Sequence, residues 1–218
     1  MPVRLRSLRF CANFFRPVWL LLVVLLFTGR AAYAQPAAPQ QVGVWGGASV
    51  ASGGLIAPST TSRLSLGAVR YQRRLLPAFT SAALLYTLDA LPWVVLHIPG
   101  RNFTTPRTPP GRVPPARRVR GVGLVPAGLQ LNLRPRRAVQ PFISGSVGFV
   151  YFFEVVPDTK GLQMNFSADL GAGVAWHPTR PWTLQLGYRY HHLSNGFRGV
   201  INPGFDVHFL YAGVLVAL

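Results

Sequence analysis

The sequence predicts an all-β fold, an eight-stranded antiparallel transmembrane β-barrel, and three observations carry that expectation. Apolar residues recur at every second position over long stretches, which is the period of strands. The positions between them are mostly Gly, Ser, Asn or Gln, and aromatic residues close the apolar faces at their ends. An even number of candidate strands lets an antiparallel sheet close without an open edge, as lipid requires. A soluble sandwich shares the alternation, but its outer faces would be mostly charged.

Residues 1–34 read as a cleaved secretory signal, leaving 35–218 as the barrel. Arg4, Arg6, Arg9 and Arg16 form a basic leader, Val18 to Phe27 is an unbroken apolar run, and Ala32-Tyr33-Ala34 is a small-x-small cleavage site. The apolar run is about half the length of a membrane-spanning helix. The single cysteine, Cys11, leaves with the leader, so the mature chain has no thiol chemistry. An apolar, cysteine-free secreted chain points to a bacterial envelope.

The strands follow in order. The first three, about Val42 to Val50, Leu64 to Gln72 and Thr80 to Leu88, alternate least clearly, and Leu84 to Ile98 is an apolar run broken by Asp89 and Pro92. The fourth, Gly121 to Leu133, ends with leucines at odd positions bracketing Gln130 and Asn132. The fifth, Val139 to Phe153, sets Ile143, Val147, Phe149, Tyr151 and Phe153 against Ser144, Ser146 and Gly148. In the sixth, Leu162 to Trp176, the even face is apolar throughout and the odd face carries Gln163, Asn165, Ser167 and Asp169. The seventh, Trp182 to Leu193, alternates Trp182, Leu184, Leu186, Tyr188 and Tyr190 with Thr183, Gln185, Gly187 and Arg189, and the eighth runs from Phe205 to Leu218. Trp176 and Trp182 stand at one turn, and Tyr151 and Phe153 near another, as interfacial girdles do. With both termini in the periplasm, 73–79, 134–138 and 177–181 are short turns, while 51–63, 89–120, 154–161 and 194–204 are external loops.

The formal net charge is +17, and removing the five arginines of the leader leaves +12. Such a charge often marks nucleic-acid binding, but a secreted chain rarely meets nucleic acid, so none is expected as a partner. The abundant polyanion of the bacterial envelope is the phosphorylated surface of lipopolysaccharide. No acidic residue lies between Asp89 and Glu154, and the Pro-rich connection there carries Arg101, Arg107, Arg112, Arg117, Arg118 and Arg120. These are read either as a solvated loop or as partners of lipid A phosphates.

Chemistry gathers at "HHLSNGFRGVINPGFDVHF", residues 191–209. Extending the parity of the seventh strand places His192 and Ser194 on its lipid-facing side, about 6.6 Å apart along the chain. Polar groups facing hydrocarbon need partners, and these two are spaced for a base to lean toward a hydroxyl. Asp206 is the one nearby acid and can take the other ring N–H of His192. Asn202 or Asn195 can offer an oxyanion donor from a side chain, and Gly196 or Gly204 one from the backbone. His191 has the opposite parity and points inward, and His208 follows Asp206 on its face. His97 and His177 fall near loops or turns. A metal held by His191, His192 and His208 is not expected, because cysteines are absent and carboxylates few.

His-x-Ser-Asn followed by Asn-Pro-Gly and an acid across one turn of a lipid barrel resembles the PagL family of lipid A 3-O-deacylases, eight-stranded outer-membrane hydrolases. The matching residues are His192, Ser194, Asn195, Asn202, Gly204 and Asp206. The resemblance implies that Ser194 and His192 are catalytic, that Asn202 contributes to the oxyanion hole, and that Asp206 completes the triad, with no cofactor. The family acid is typically Glu, and Asp is shorter by one C–C bond, about 1.5 Å. The strands or the His must therefore shift to keep the hydrogen bond. Gly196 stands where Ala is expected. The resemblance implies an esterase removing the 3-hydroxyacyl chain at the 3-position of lipid A, with its site facing the outer leaflet of the outer membrane; a homodimer stays open. Two rivals remain at this point: a non-catalytic barrel serving as adhesin or structural protein, and a phospholipid hydrolase of the same architecture.

Overall fold

The computed structural model describes residues 39–53, 56–57, 62–76, 81–100, 115–157, 160–202 and 204–218. Residues 1–34, expected to be the cleaved signal, lie outside the described residues. The strands are β1 (Gln40–Ser52), β2 (Arg63–Arg74), β3 (Ala82–Ile98), β4 (Arg117–Leu133), β5 (Val139–Val156), β6 (Leu162–Trp176), β7 (Trp182–Ser194) and β8 (Phe205–Ala217). Each pairs antiparallel with the next, and β1 pairs with β8, so the sheet is a closed barrel in sequence order. No strand is left with an unpaired edge, and the chain is a transmembrane β-barrel as expected.

The parity read from the sequence holds through β5, β6 and β7. Ile143, Val147, Leu170 and Leu186 are exposed on the outer wall, while Ser167, Asp169, Thr183, Gln185, Arg189 and His191 are buried inside. Trp176 and Trp182 lie outward at the short-turn end, and Tyr151 and Phe153 outward toward the other end.

Two expectations need correction. β3 does not stop at Leu88 but runs to Ile98, and β4 begins at Arg117 rather than Gly121. β4 starts earlier than expected because its first outward positions carry Arg118 and Arg120 where a lipid-facing strand is expected to be apolar, whereas β3 runs on through a bulge. Between Leu91 and Val94 the register slips at Pro92 and Trp93, so the buried positions change from odd (Leu85, Thr87, Asp89, Leu91) to even (Val94, Leu96, Ile98). Pro126 and Ala127 do the same in β4. Pro lacks the ladder N–H and is accommodated at such bulges, and one extra residue turns every following side chain to the other face. Arg117, Arg118 and Arg120 stand on a strand instead of in a loop. Arg101, Arg107 and Arg112 lie outside the described residues.

The barrel interior is filled. Arg70 forks onto Asp89, with Nε to Oδ1 and Nη2 to Oδ2 both at 2.7 Å. Its Nη1 donates to Gln185 at 3.3 Å, Gln185 donates to Gln72 at 3.4 Å, Gln72 to Gln41 at 3.2 Å, and Gln41 to Thr183 at 2.9 Å. Arg189 is held 3.4 Å from Asp169, with its guanidinium 4.6 Å from the ring centre of Trp45 and 4.4 Å from that of Tyr211. Toward the loop end the filling turns apolar, with Leu96, Val119, Phe152, Val156, Leu193 and Phe205 all buried. Charged groups this deep are tolerated because each finds a partner. A lumen packed in this way leaves the outer wall and the rim as the surfaces on which chemistry can occur.

Candidate active site

β7 and β8 meet at the loop end in a register that pairs His192 directly with Asp206 and Leu193 with Phe205. Leu193 and Phe205 are buried inward, so their neighbours His192 and Asp206 share the outward face. Directly paired residues have Cβ atoms about 5 Å apart. A carboxylate as short as Asp therefore reaches: His192 Nδ1 and Asp206 Oδ1 are 2.6 Å apart. The shift expected from the shorter acid is unnecessary.

The second oxygen of Asp206 is occupied as well. Asp206 Oδ2 accepts from the backbone N–H of Ile56 at 2.9 Å, from that of Ala57 at 2.7 Å, and from the hydroxyl of Tyr190. Gly53, with φ of 94°, donates its N–H to the Asp206 carbonyl at 3.0 Å. The β1–β2 connection thus folds over the start of β8, leaving the Asp206 side chain fully covered while the His192 side chain stays 18% exposed. Four donors converge on one carboxylate, which fixes its plane and therefore that of the imidazole. Ile56, Ala57 and Tyr190 were not among the expected site residues. Tyr190 follows the parity of His192 and was legible to that extent, but nothing in the local sequence signals the two backbone donors.

Ser194 is the last residue of β7, two positions beyond His192, and is half-buried on the same outward side. It pairs with Phe166 of β6. Beyond it the chain turns at Gly196 and Phe197, both with positive φ, at 66° and 61°. A Cβ added at Gly196 would come within 2.8 Å of the Phe166 ring, so Gly is the residue that fits there. The backbone N–H of Asn195 donates to Asn202 Oδ1 at 3.0 Å, which assigns the Asn202 oxygen and leaves its NH2 for another acceptor. Asn195 itself, expected as an alternative side-chain donor, spends its amide on the carbonyl of Ile201 at 2.7 Å and holds the turn closed. Gly204, with φ of 64°, lies beneath the imidazole: an added Cβ would stand 3.2 Å from His192 Cε1 and 3.0 Å from Ala57 Cβ.

The remaining candidates separate. His191 is buried inside the barrel, 3.3 Å from Ser167, and cannot share a ligand with His192 across the wall. His208 lies outside, bonded to the Tyr188 hydroxyl at 2.7 Å and edge-on to the ring of Tyr190. His208 thus supports the tyrosine that binds Asp206. Arg117 is engaged by Glu154 at 3.1 Å and by the carbonyls of Val155 and Pro157. Arg118 and Arg120 project outward from β4, away from β7.

From His192 a groove of about 830 Å³ crosses the outer wall as far as Tyr86 of β3. It is lined at outward positions by the small residues Ala168, Gly145 and Ala127 and by Leu170, Val147 and Leu129. Four strand spacings give it a length of roughly 19 Å. The site therefore offers a carboxylate-anchored imidazole, a neighbouring hydroxyl, an amide held by its oxygen, and an apolar trough opening on lipid. These are the parts of a nucleophilic acyl transfer at a membrane surface.

Residues 117–214, from β4 into β8, match the family model described as Lipid A 3-O-deacylase (PagL). Among solved structures the chain is similar to one titled "Crystal structure of the outer membrane enzyme PagL", with a TM-score of 0.50 and 13% sequence identity, over 80% of this chain and 97% of that one. At that identity the likeness concerns the fold. No curated protein matches the sequence significantly.

Proposed function

We propose that this chain, matched from β4 into β8 by the lipid A 3-O-deacylase (PagL) model, is an outer-membrane serine esterase that removes the ester-linked 3-hydroxyacyl chain at the 3-position of lipid A. The observation that carries the reading is the 2.6 Å bond between His192 Nδ1 and an Asp206 carboxylate locked on the outward face, with Ser194 two positions farther along β7. With Nδ1–H donated to Asp206, the free Nε2 is the basic nitrogen. It takes the proton of Ser194 as Oγ attacks the ester carbonyl and returns it to the departing sugar oxygen. The Asn202 NH2 stabilises the tetrahedral oxyanion, and a backbone N–H at Gly196 or Gly204 is the second donor. Water then attacks the acyl-serine, with His192 again as base, and releases a 3-hydroxy fatty acid.

The outer-wall groove fits this substrate class, because an acyl chain can lie across Ala168, Gly145 and Ala127 without leaving the bilayer. Phe197 and Val200, exposed in the β7–β8 connection, place apolar contact beside Ser194 at the rim. A cation stands there too: the Arg198 guanidinium lies 5.9 Å from the ring centre of Phe166, the pairing partner of Ser194, within reach of a phosphorylated sugar. This arrangement supports a site at the outer leaflet.

The test is to offer the purified, folded barrel a bis-phosphorylated lipid A and, separately, diacyl phospholipids. Release of 3-hydroxy fatty acid from lipid A with phospholipids intact is expected. Fatty acid released from phospholipids at comparable rates would make the barrel a phospholipid hydrolase instead, and product from neither would leave the non-catalytic reading standing.

A further inference from the structure

The β-sheet register builds a second polar feature on the outer wall that the esterase chemistry does not use. Arg63 of β2 pairs with His97 of β3, and His97 pairs with Arg118 of β4. All three are outward, because their neighbours Leu64, Leu96, Ile98 and Val119 are buried. Arg120, two residues along β4, projects on the same side. The backbones of Arg63 and Arg118 are about 10 Å apart, two strand spacings, so three guanidinium groups gather in one short row at the loop end. Arg63, Arg118 and Arg120 are exposed, and among the described residues no carboxylate is paired with them. Glu154, the exposed acid nearest in sequence to these strands, is already held by Arg117. Toward the membrane core the same wall turns apolar, with Val69, Trp93 and Val122 exposed.

The row does not meet the headgroup of the lipid whose ester meets Ser194, even though the groove carries that lipid's acyl chain toward β3. It is centred on β3, and in a closed ring of eight strands β3 is four strands from β7 in either direction. That is the opposite wall, roughly 20 Å or more around the backbone. A sugar headgroup held at Ser194 has Arg198 beside it and would have to span half the barrel to meet His97.

We propose that Arg63, Arg118 and Arg120, with His97 between them, bind the phosphate groups of a second lipid A-type molecule in the outer leaflet, with its acyl chains lying over Trp93 and its apolar neighbours. The occupant follows from the chemistry: several unpaired cations in a headgroup-level row suit phosphate monoesters on a rigid sugar, and the apolar wall below suits attached acyl chains. The site tethers the barrel among its neighbouring lipids without entering the reaction. This assignment rests on the proposed outer-leaflet orientation of the loop end.

The experiment counts lipids bound to the full-length mature barrel by native mass spectrometry, in a Ser194→Ala background so that lipid is not consumed. The comparison is between that protein and the same protein carrying Arg63→Gln, Arg118→Gln and Arg120→Gln, each offered bis-phosphorylated lipid A, its dephosphorylated form, or inorganic phosphate. The triple variant is expected to lose one retained bis-phosphorylated lipid A, with affinity at that site weaker by about tenfold or more. In the Ser194 protein the same three changes should leave deacylation of detergent-dispersed lipid A within about threefold. Unchanged lipid retention in the folded triple variant would overturn the proposal. So would equal retention of dephosphorylated lipid A, displacement by millimolar inorganic phosphate, or activity falling in step with binding. Because the readout is retention, a barrel that binds at this row yet cleaves nothing would refute the esterase reading alone.

Discussion

In an Asp206→Asn variant the new amide has one orientation that satisfies its neighbours. The Oδ2 position accepts from Ile56 N–H at 2.9 Å, Ala57 N–H at 2.7 Å and the Tyr190 hydroxyl, so an oxygen must stay there. Reversing the amide would strand the buried Ala57 N–H at about 1–3 kcal/mol and leave the part-buried Ile56 N–H without its acceptor. The NH2 therefore faces His192 Nδ1, 2.6 Å away in the wild type, and imidazole must accept at Nδ1 and carry its proton on Nε2. That is the nitrogen required to receive the Ser194 proton. The geometry survives and the base is lost, as in triads with the wrong tautomer, so kcat should fall about 10³- to 10⁴-fold, or roughly 4–5.5 kcal/mol. The assay is release of 3-hydroxy fatty acid from lipid A under saturating substrate, with heat-modifiable gel mobility as the check that the barrel is folded. A folded Asn variant within about tenfold of wild type would refute the tautomer argument. Asp206→Glu, although it installs the acid typical of the family, should lower activity here, because the extra bond of about 1.5 Å has no room between a directly paired His192 and the Ile56–Ala57 clamp.

Three further outcomes follow from the same geometry. Gly204→Ala should cost activity by at least about tenfold, since the new methyl would lie 3.2 Å from His192 Cε1 at a φ of 64° that disfavours side chains by about 1–2 kcal/mol; kinetics indistinguishable from wild type would show that the imidazole has slack there. Asp89→Ala should destabilise the barrel by about 3–5 kcal/mol by leaving Arg70 buried and unpaired, measured as urea-dependent unfolding in lipid vesicles, and a loss under about 1 kcal/mol would mean the interior network re-forms without it. Burial at the β6–β7 turn lowers the pKa of His177 from 6.5 to about 4, so between those values the unfolded chain binds a proton the native one excludes. Stability is thus full above pH 6.5 and declines as the pH falls toward 4, by about 1–2 kcal/mol after discounting for the partly exposed ring. His177→Gln should flatten that acid limb, and an unaltered limb would assign it elsewhere.

What the sequence could reveal tracks how local each determinant is. β5 as far as Phe153, β6 and β7 were legible because their alternation is uninterrupted there, and the same parity put His192 and Ser194 outward and His191 inward. β3 was cut short because Pro92-Trp93 inverts the pattern midway, and β4 because its first outward positions are Arg118 and Arg120 instead of apolar residues, so that both strands read as strand plus loop. The misassigned loop then carried Arg117, Arg118 and Arg120 with it, so whether they were solvated or met lipid A phosphates was weighed for a loop and not for a strand face. Asp206 was legible from its spacing to Ser194, but not its fit. That depends on the direct His192–Asp206 pairing and on backbone donors 149 and 150 residues away, neither of which leaves a trace in local sequence. The Arg63–His97–Arg118 row likewise exists only once three strands are in register.

The central claim is that Ser194, at the outer wall, opens the 3-position ester of lipid A, and the mass spectrum of lipid A from cells carrying this barrel tests it most directly. Cells expressing the wild type should show lipid A lighter by one ester-linked 3-hydroxyacyl chain, and cells expressing Ser194→Ala, folded in the outer membrane at the same level, should show it intact. Lipid A unaltered by a folded wild type, or deacylated equally by the Ser194→Ala variant, would contradict the account.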